Sequence, residues 1–254
     1  MRTSSLSESE YVAVCMRREL GISVNEAIDF PYVFQRLNIH FRKANLPNNI
    51  LGASKVEGLN RLIVVSSRKK YASKERFTTA HEVGHVVLRH GYSQCKFNDI
   101  YGQKTRADKE NEANDFASAF LLPPSIVSTQ ARAGNVTINA AGKLRKQYDI
   151  SLTSALIALV KSSHFSVCVF FQSKDAIDYS ISSPGCLACA RKGTVMPRSG
   201  IKAVSLERRQ HNGACEYTTW FYEKPGKDYN CSEETIYLPN YQVAISIVQI
   251  WERD

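Results

Sequence analysis

Apolar residues recur at helical spacing in two stretches of the first 50 residues. The first series consists of Tyr11, Val12, Val14, Cys15 and Leu20, and the second of Val33, Phe34, Leu37 and Phe41. Side chains three or four residues apart share one face of a helix, so both stretches are predicted to be helical. Residues 60–67 (NRLIVVSS) instead form a short β-branched run between polar positions, which predicts a strand.

Two helices are predicted in the middle of the chain. The first covers residues 77–90, with Thr78 or Thr79 as its N-cap and Gly91 in the left-handed conformation that often follows a helix. The second covers residues 108–122, because a pair of prolines follows directly and stops it. These two helices contain the main candidate catalytic side chains.

The remaining patterns predict two further regions. Residues 137–162 contain two helical segments, AAGKLRKQY and SLTSALIALV, joined by the turn DIS, which is the outline of a helix-turn-helix. The second segment is apolar and is followed by the single basic residue Lys161, which favours packing on the protein over contact with DNA. After Ser163 come three apolar runs, FSVCVFF, TTWFYE and YQVAISIVQIW, which predict a β-rich region.

The predicted fold class is therefore α+β, in three parts. Residues 1–122 are predicted to form the first domain, and residues 123–163 a helical subdomain of the helix-turn-helix type. Residues 164–254 are predicted to form a smaller, β-rich C-terminal domain.

Composition narrows the class of protein. The 254 residues include 33 Lys and Arg against 24 Asp and Glu, a formal charge of +9, which is compatible with a nucleic-acid or acidic partner. The basic runs are short, however, as is typical of a solvated surface. No apolar run reaches about 18 residues and the N-terminal segment is polar, so neither a membrane span nor a secretory signal is expected. Seven irregularly spaced cysteines favour a reducing compartment, and we expect a cytoplasmic protein.

The segment His81-Glu82-Val83-Gly84-His85 is the most informative pattern. Residues i and i+4 lie on one face of a helix, so the imidazoles of His81 and His85 can bind one metal ion, with Glu82 beside them. Zinc suits imidazole ligands, and a catalytic zinc takes a third protein ligand and keeps one position open for water. The pattern therefore predicts a catalytic zinc site with Glu82 as general base.

The third ligand is predicted to come from the helix at 108–122. Its apolar face is set by Ala113, Phe116, Ala117, Phe120 and Leu121. At about 100° per residue, Glu110 lies roughly 50° from the centre of that face and Glu112 roughly 110° away. A carboxylate on an apolar face needs a partner, so Glu110 is favoured as the ligand and Glu112 is kept as the alternative. Asn114 is predicted to accept a hydrogen bond from the outer nitrogen of a ligating histidine, whereas His90 lacks the spacing of a metzincin ligand and is expected at the helix end.

A second candidate cluster lies in the β-rich region. Cys186 and Cys189 form a C-x-x-C, with His211, Cys215 and Cys231 further on. This spacing is looser than that of a zinc ribbon, so reduced cysteines are the default interpretation. A second, structural zinc ion and a redox sensor are kept as alternatives.

The two central helices resemble the motifs of the ImmA/IrrE family of metallo-endopeptidases. RFTTAHEVGHVVLRH is similar to the family's R-F-T-x-A-H-E-x-G-H-x-x-L, and ENEANDFASAFLLPP to its E-x-x-A-N-x-F-A-x-x-L-L-x-P. The resemblance covers about residues 45–165. It implies a thermolysin-like minimal zinc peptidase core with a helix-turn-helix subdomain, in which His81, His85 and Glu110 hold zinc and Glu82 is the catalytic base.

The same resemblance implies a class of substrate. Members of the family cleave helix-turn-helix repressor proteins and so relieve repression of mobile-element or stress-response genes, and some carry a GAF-like sensing domain, which is left open for residues 164–254. An extended substrate is expected to add to the strand at 60–67. The alternative function is a non-catalytic regulator that binds a repressor or DNA through the same fold. Glu82 favours the peptidase, because binding alone needs no general base.

Overall fold

The computed structural model describes residues 6–69, 74–96, 99, 108–134, 136–173, 176–186, 210–221, 228–239 and 242–252. Helices and strands are both abundant, which confirms the predicted α+β class. The chain forms two compact units, one of Met1–Pro124 with Lys146–Ser151 and one of Ser125–Arg145 with Leu152–Asp254. The finer division predicted at residues 122 and 163 stays a prediction. Within the described ranges, every helix is too short or too polar to cross a membrane.

The first unit combines helices with a four-stranded sheet. The helices are α1 (Glu8–Glu19), α2 (Phe30–Leu37), α3 (Glu75–Val87) and α4 (Asp108–Leu121). The strands are β1 (Ile39–Ala44), β2 (Ile50–Glu57), β3 (Asn60–Ser66) and β4 (Tyr92–Lys96). The helices predicted in the first 50 residues are confirmed by α1 and α2, and the predicted strand at 60–67 is confirmed by β3.

The prediction of a helix through Phe41 is wrong. Asn38 adopts the left-handed conformation, with φ 51°, and its N–H donates to the carbonyls of Phe34 and Gln35, which ends α2. Asparagine tolerates this conformation better than most residues. The chain then enters β1, where the ring of Phe41 stacks on that of Phe34 with centroids 4.6 Å apart. Helical spacing failed as a guide because a helix and the strand after it bury their apolar residues in the same core.

The strands of the first unit form a mixed sheet in the order β1-β3-β2-β4. Strand β1 is parallel to β3, and the other pairs are antiparallel. Because β3 is paired on both sides, the prediction that a peptide adds to residues 60–67 is wrong. Strand β4 lies at an edge of this sheet and alternates between buried Ser93 and Cys95 and exposed Tyr92, Gln94 and Lys96.

Helices α3 and α4 pack closely together. Residues 78–86 of α3 are all buried, so the helix is enclosed by protein on every side. A Cβ atom at Gly84 would lie 3.1 Å from Phe116 Cδ1 and 3.3 Å from the backbone of Ala113, both on α4. The absence of a side chain at Gly84 therefore lets the two helices approach each other. This approach brings Glu110 of α4 to the histidines of α3.

The ends of α3 differ in part from the prediction. The helix begins at Glu75 with Lys74 as N-cap, so the N-cap predicted at Thr78 or Thr79 is wrong. The Thr79 hydroxyl instead donates to the carbonyl of Glu75 within the helix. The helix ends at Val87 and not at His90, although Gly91 has the predicted left-handed conformation, with φ 81°.

The second unit contains most of the remaining elements. The helices from this part of the chain are α5 (Pro124–Arg132), α6 (Ile138–Tyr148), α7 (Leu152–Lys161) and α8 (Tyr217–Trp220). The strands are β5 (Ser166–Ser173), β6 (Ala176–Ser182), β7 (Gln210–Cys215), β8 (Tyr229–Leu238) and β9 (Val243–Glu252), in an antiparallel sheet of order β6-β5-β9-β8-β7. The predicted helices at 137–162 are present, whereas residues 218–220 of the run TTWFYE lie in α8 and not in a strand. The helix-turn-helix interpretation stays a prediction.

Candidate metal centre

Helix α3 holds the H-E-x-x-H segment in the interior of the first unit. The side chains of His81, Glu82 and His85 are all buried. The spacing of four residues places both imidazoles on one face of the helix, and their Nε2 atoms lie 3.0 Å apart. Two ring nitrogens this close and away from water need a shared partner, which is a proton or a cation.

Two further donors converge on these nitrogens. Glu110 on α4 places Oε2 3.2 Å from His81 Nε2 and Oε1 3.5 Å from His85 Nε2. Cys95 on β4 places Sγ 3.2 Å from His81 Nε2 and 3.3 Å from His85 Nε2. The ligand atoms of these four residues all lie within 4.8 Å of one another. Two helices and an edge strand thus build a cluster that could hold a metal ion.

Asn114 determines which nitrogen of His81 faces the cluster. Its Nδ2 donates to the carbonyl of Asp99 over 3.1 Å, and a carbonyl only accepts, so the orientation of the amide is fixed. Its Oδ1 is therefore the atom that lies 3.0 Å from His81 Nδ1, and His81 Nδ1 donates to it. With Nδ1 engaged in this way, Nε2 is the nitrogen of His81 that faces the cluster, and the contact that the helix geometry predicted for Asn114 is present.

His85 has a corresponding partner in His90. The carboxylate of Glu112 accepts from His90 Nε2 over 2.9 Å, and His90 Nδ1 lies 2.8 Å from His85 Nδ1. Burial lowers the pKa of His90, which favours its neutral form, so His90 Nδ1 accepts the proton of His85 Nδ1. Nε2 is then the nitrogen of His85 that faces the cluster. Glu112, the alternative ligand, has a side chain 49% exposed and contacts His90, whereas that of Glu110 is 16% exposed and faces the cluster.

The ionisable groups of the cluster shift one another's pKa values. Partial burial by itself raises the pKa of Glu110, but the contacts with His81 and His85 outweigh it and hold that pKa well below its ordinary value. Burial strongly raises the pKa of the Cys95 thiol, and the carboxylate of Glu82 raises it further. Without a cation, the cluster therefore contains an ionised Glu110 and a protonated Cys95.

Glu82 is completely buried, and its carboxylate lies against Gly52 of strand β2. Both of its carboxylate oxygens are buried without a hydrogen-bond partner among the described residues. Burial raises the pKa of Glu82 to about 7, although His85 acts in the other direction. A Cβ atom at Gly52 would lie 2.5 Å from Glu82 Oε1, so this glycine leaves the space that the carboxylate occupies.

Sequence reasoning missed Cys95, Ser93 and Gly52. Ser93 Oγ lies 3.2 Å from both Cys95 Sγ and His85 Nε2, so both buried residues of β4 reach the cluster. The available signal was the alternation in YSQCK, shortly after the histidine motif, which is typical of a half-buried strand. The role of Gly52 depends on the packing of β2 against α3, which has no local signature.

The second metal cluster predicted in the β-rich region is only partly described. Cys189 lies outside the described residues, as does the side chain of His211. Cys186 is half-buried and contacts Ser166 Oγ at 3.7 Å, while Cys215 Sγ and Cys231 Sγ lie 3.0 Å apart. Within the described ranges, three or more potential metal ligands converge only at the cluster of His81, His85, Cys95 and Glu110. A second zinc ion therefore stays a prediction.

Comparison with known proteins agrees with this geometry. Residues 34–159 match the model of the IrrE N-terminal-like domain, a range that includes all four residues of the cluster. This match and two curated relatives support an ImmA/IrrE family metallopeptidase. The matched range begins in α2 and ends in α7, so it includes the helices α3 and α4 and the sheet that contains β4.

Two curated proteins and one solved structure are similar to this chain. It is 27% identical over 126 residues to the radiation response metalloprotease IrrE of Deinococcus radiodurans, covering 49% of this chain and 35% of the relative. It is 26% identical over 164 residues to that of Deinococcus deserti, covering 58% of each chain. Both alignments span less than two thirds of the relative. A Mycobacterium tuberculosis transcriptional regulator shares the fold, with a TM-score of 0.54 and 12% identity over 96% of this chain and 88% of that one.

Proposed function

We propose that this chain is a zinc-dependent endopeptidase that cleaves a regulatory protein. The observation that carries the proposal is the convergence of two imidazoles and the Glu110 carboxylate, with the buried carboxylate of Glu82 on the helix that carries both histidines. Nitrogen and oxygen donors of this kind suit zinc. The family match supports a metallopeptidase, and the choice of zinc and of a protein substrate is the proposed part.

The donor distances fit the proposed ion. With metal–ligand distances of about 2.0–2.1 Å, nitrogen and oxygen donors at the corners of a tetrahedron lie about 3.3 Å apart. The distances of 3.0 Å between His81 and His85 and 3.2 Å between His81 and Glu110 are close to this value. Asn114 and His90 take up the Nδ1 protons, which leaves both Nε2 lone pairs free to ligate.

Glu82 is assigned the role of general base. A bound zinc ion supplies Lewis-acid chemistry, which polarises the scissile carbonyl and makes a water molecule more acidic. The Glu82 carboxylate accepts the proton of the attacking water and then delivers it to the nitrogen of the leaving amine. A pKa near neutrality suits a group that accepts a proton and then donates it.

The edge strand β4 is the proposed place of the substrate backbone. It leaves one side of the described sheet unpaired and carries two residues that reach the cluster, so an extended peptide adding to it passes close to Glu82. We further propose that the substrate is a helix-turn-helix repressor and that cleavage relieves repression of mobile-element or stress-response genes in the cytoplasm. This part is supported by the family resemblance of the two motifs.

The other parts of the chain keep their proposed roles. We infer a thermolysin-like arrangement for the core around α3 and α4, and a helix-turn-helix subdomain for α6 and α7. The five-stranded antiparallel sheet of the second unit has a cavity of about 410 Å³, which is compatible with a GAF-like sensing function. Direct contact with nucleic acid is not favoured, because α7 buries Ala155, Leu156, Leu159 and Val160.

One observation favours the alternative of a non-catalytic regulator. Cys95 adds a fourth donor to the cluster, and four protein ligands are typical of structural zinc sites. In such a protein the metal would stabilise a fold that binds a repressor or DNA. Repressor cleavage would then be absent both with and without a zinc chelator. Binding to DNA would depend mainly on the salt concentration.

Replacement of Glu82 by Gln tests the proposal. The chain is co-expressed with the helix-turn-helix repressor encoded beside it, and repressor fragments are followed by mass spectrometry. The wild-type protein should produce fragments and lose this activity with a zinc chelator. Glu82→Gln should retain zinc and lose cleavage by at least about 100-fold, since general base catalysis contributes about 10²–10⁴-fold. Equal cleavage by both proteins would contradict the role of Glu82, and no cleavage by the wild type, even with Cys95 replaced by Ala, would favour the regulator.

A further inference from the structure

We propose that Cys95 is the fourth protein ligand of the zinc ion and that its thiolate holds the peptidase in a latent state. This inference rests on the proposed zinc site, to which it adds a ligand and a mode of regulation. It assigns the metal a closed set of two imidazoles, one carboxylate and one thiolate. Activity then requires that the Cys95 thiolate leaves the ion.

The position of Cys95 Sγ is that of a ligand. With Zn–S of about 2.3 Å and Zn–N of about 2.0–2.1 Å, a sulfur and a nitrogen donor at two corners of a tetrahedron lie about 3.5 Å apart. Cys95 Sγ is 3.2 Å from His81 Nε2 and 3.3 Å from His85 Nε2. It also lies within 4.8 Å of the ligand oxygen of Glu110. The sulfur therefore completes a compact four-donor group rather than lying beside a three-donor one.

The surroundings of Cys95 support a ligand more than a simple core residue. The residue is completely buried, yet its neighbours within hydrogen-bond distance are polar: the two imidazoles and Ser93 Oγ at 3.2 Å. A hydroxyl donor stabilises a metal-bound thiolate. Ser93 and Cys95 point to the same side of β4 because they are two residues apart, so one strand supplies both the sulfur and the group that can donate to it.

Four protein ligands explain how the site is kept inactive. A catalytic zinc needs an open position for water, whereas a tetrahedral site with four protein donors has none. Glu82 would then have no attacking water to deprotonate. Since β4 is an edge strand of the described sheet, Cys95 can be withdrawn by moving one strand, without disturbing the helices that carry the other three ligands.

Cobalt substitution tests the inference by spectroscopy. The full-length protein is stripped of metal and loaded with Co²⁺, and its near-ultraviolet sulfur-to-cobalt absorption is recorded along with the visible bands. Wild-type protein should show the sulfur band. Cys95→Ser, which is nearly isosteric, and Cys95→Ala should retain the visible cobalt bands and lose the sulfur band. Cys15→Ala is the matched control, since Cys15 is a free cysteine on α1, and it should keep both.

Two further measurements accompany the spectra. At equal metal content, Cys95→Ala should cleave its substrate at least about tenfold faster than wild type, since water gains the vacated position. Circular dichroism of each variant verifies that it is folded.

The outcomes separate this inference from the proposed function. A cobalt-loaded wild type without the sulfur band, or a band that persists in both Cys95 variants, would overturn the role of Cys95 while leaving a three-ligand peptidase intact. Equal activity of wild type and Cys95→Ala at equal metal content would overturn the latent state. If neither cobalt nor zinc binds the wild type, the proposed function fails together with the inference.

Discussion

Two cysteine-containing clusters in this chain differ in how many donors converge. In the first unit, Cys95 meets two imidazoles and a carboxylate that come from two helices. In the second unit, Cys215 and Cys231 face each other across β7 and β8, with their sulfurs 3.0 Å apart. The nearby carboxylate of Glu233 instead accepts from Trp220 Nε1 over 2.8 Å. Among the described residues, the second cluster therefore offers two thiols, whereas the first offers two imidazoles, a carboxylate and a thiol.

The difference shows that convergence, more than the presence of sulfur, decides the chemistry of each cluster. The Cys215 thiol donates to Cys231 Sγ, and the Cys231 thiol donates to the carbonyl of Cys215 over 2.7 Å; the contact between the sulfurs raises the pKa of Cys215 and lowers that of Cys231. This satisfies the two sulfurs without a metal. In the cluster of the first unit, three groups with lone pairs face a thiol, and a cation satisfies them all.

Removal of one donor from each cluster gives the largest expected contrast. His85→Ala should lower zinc affinity by more than about 100-fold, because changes to groups that merely orient ligands already cost about 10–100-fold. Cys231→Ala should leave the stoichiometry at one zinc per chain. Zinc content after dialysis and competition with a chromophoric chelator measure both effects.

The same pair of variants decides between one and two metal ions. Two zinc ions in the wild type and one in Cys231→Ala would establish a second site in the β-rich region. Both cysteine-containing clusters would then bind a metal ion. One zinc in the wild type and none in His85→Ala would place the ion in the first unit.

The parts of the site that depend on one helix were predictable from the sequence. The spacing of His81 and His85 fixes their common face, and the apolar face of α4 distinguishes Glu110 from Glu112, because the geometry of a helix is local. Asn114 followed from the same rotation. The predicted strand at β3 was also recognisable from its β-branched run.

The parts that depend on strand register were not predictable. Cys95 is opposite Gly52 in the pairing of β2 with β4, although the two are far apart in sequence, and this pairing brings both to Glu82 and the histidines. Register is set by the packing of the whole sheet, which a single sequence does not reveal. The helix expected through Phe41 failed for a related reason, since apolar spacing does not distinguish a helix from a strand packed on the same core.

Gly52→Ala should disturb the cluster of the first unit without removing a donor. A Cβ atom 2.5 Å from Glu82 Oε1 forces the carboxylate to move, and we expect a loss of activity of about 100-fold with zinc retained. Overpacking of this kind also lowers the free energy of unfolding by about 1–3 kcal/mol.

Gly142→Ala is the matched control for this glycine. Gly142 lies in α6 and a Cβ atom there meets nothing within 4 Å, so the variant should gain about 0.5–1 kcal/mol of stability from helix propensity. Activity assays and urea unfolding measure both variants. Unchanged activity in Gly52→Ala would show that the position of Glu82 is not critical.

His90→Ala tests the hydrogen bonds behind the cluster and should have a smaller effect. Loss of the acceptor for His85 Nδ1 leaves the ring free to rotate or to change tautomer, so zinc affinity should fall by about 10–100-fold. His90→Gln keeps a side-chain acceptor and should recover part of this loss. Equal affinities in wild type and His90→Ala would mean that the packing of α3 alone orients His85.

The smallest effect is expected from Glu82→Gln in metal-free protein. The folded-state pKa of about 7 is above the ordinary value of 4.5, so the folded state binds more protons than the unfolded state between these values. The stability supplied by the protonated form is complete below about pH 4.5 and is lost as the pH rises through 7. Glu82→Gln should therefore raise the free energy of unfolding by about 2 kcal/mol at pH 8 and by little at pH 4, measured by urea unfolding with a chelator present.

Glu57→Gln is the control, and it should act in the opposite direction and more weakly, because Lys55 lowers the pKa of that exposed carboxylate. A gain in Glu82→Gln that is the same at both pH values would show that burial of the charge is not its cause.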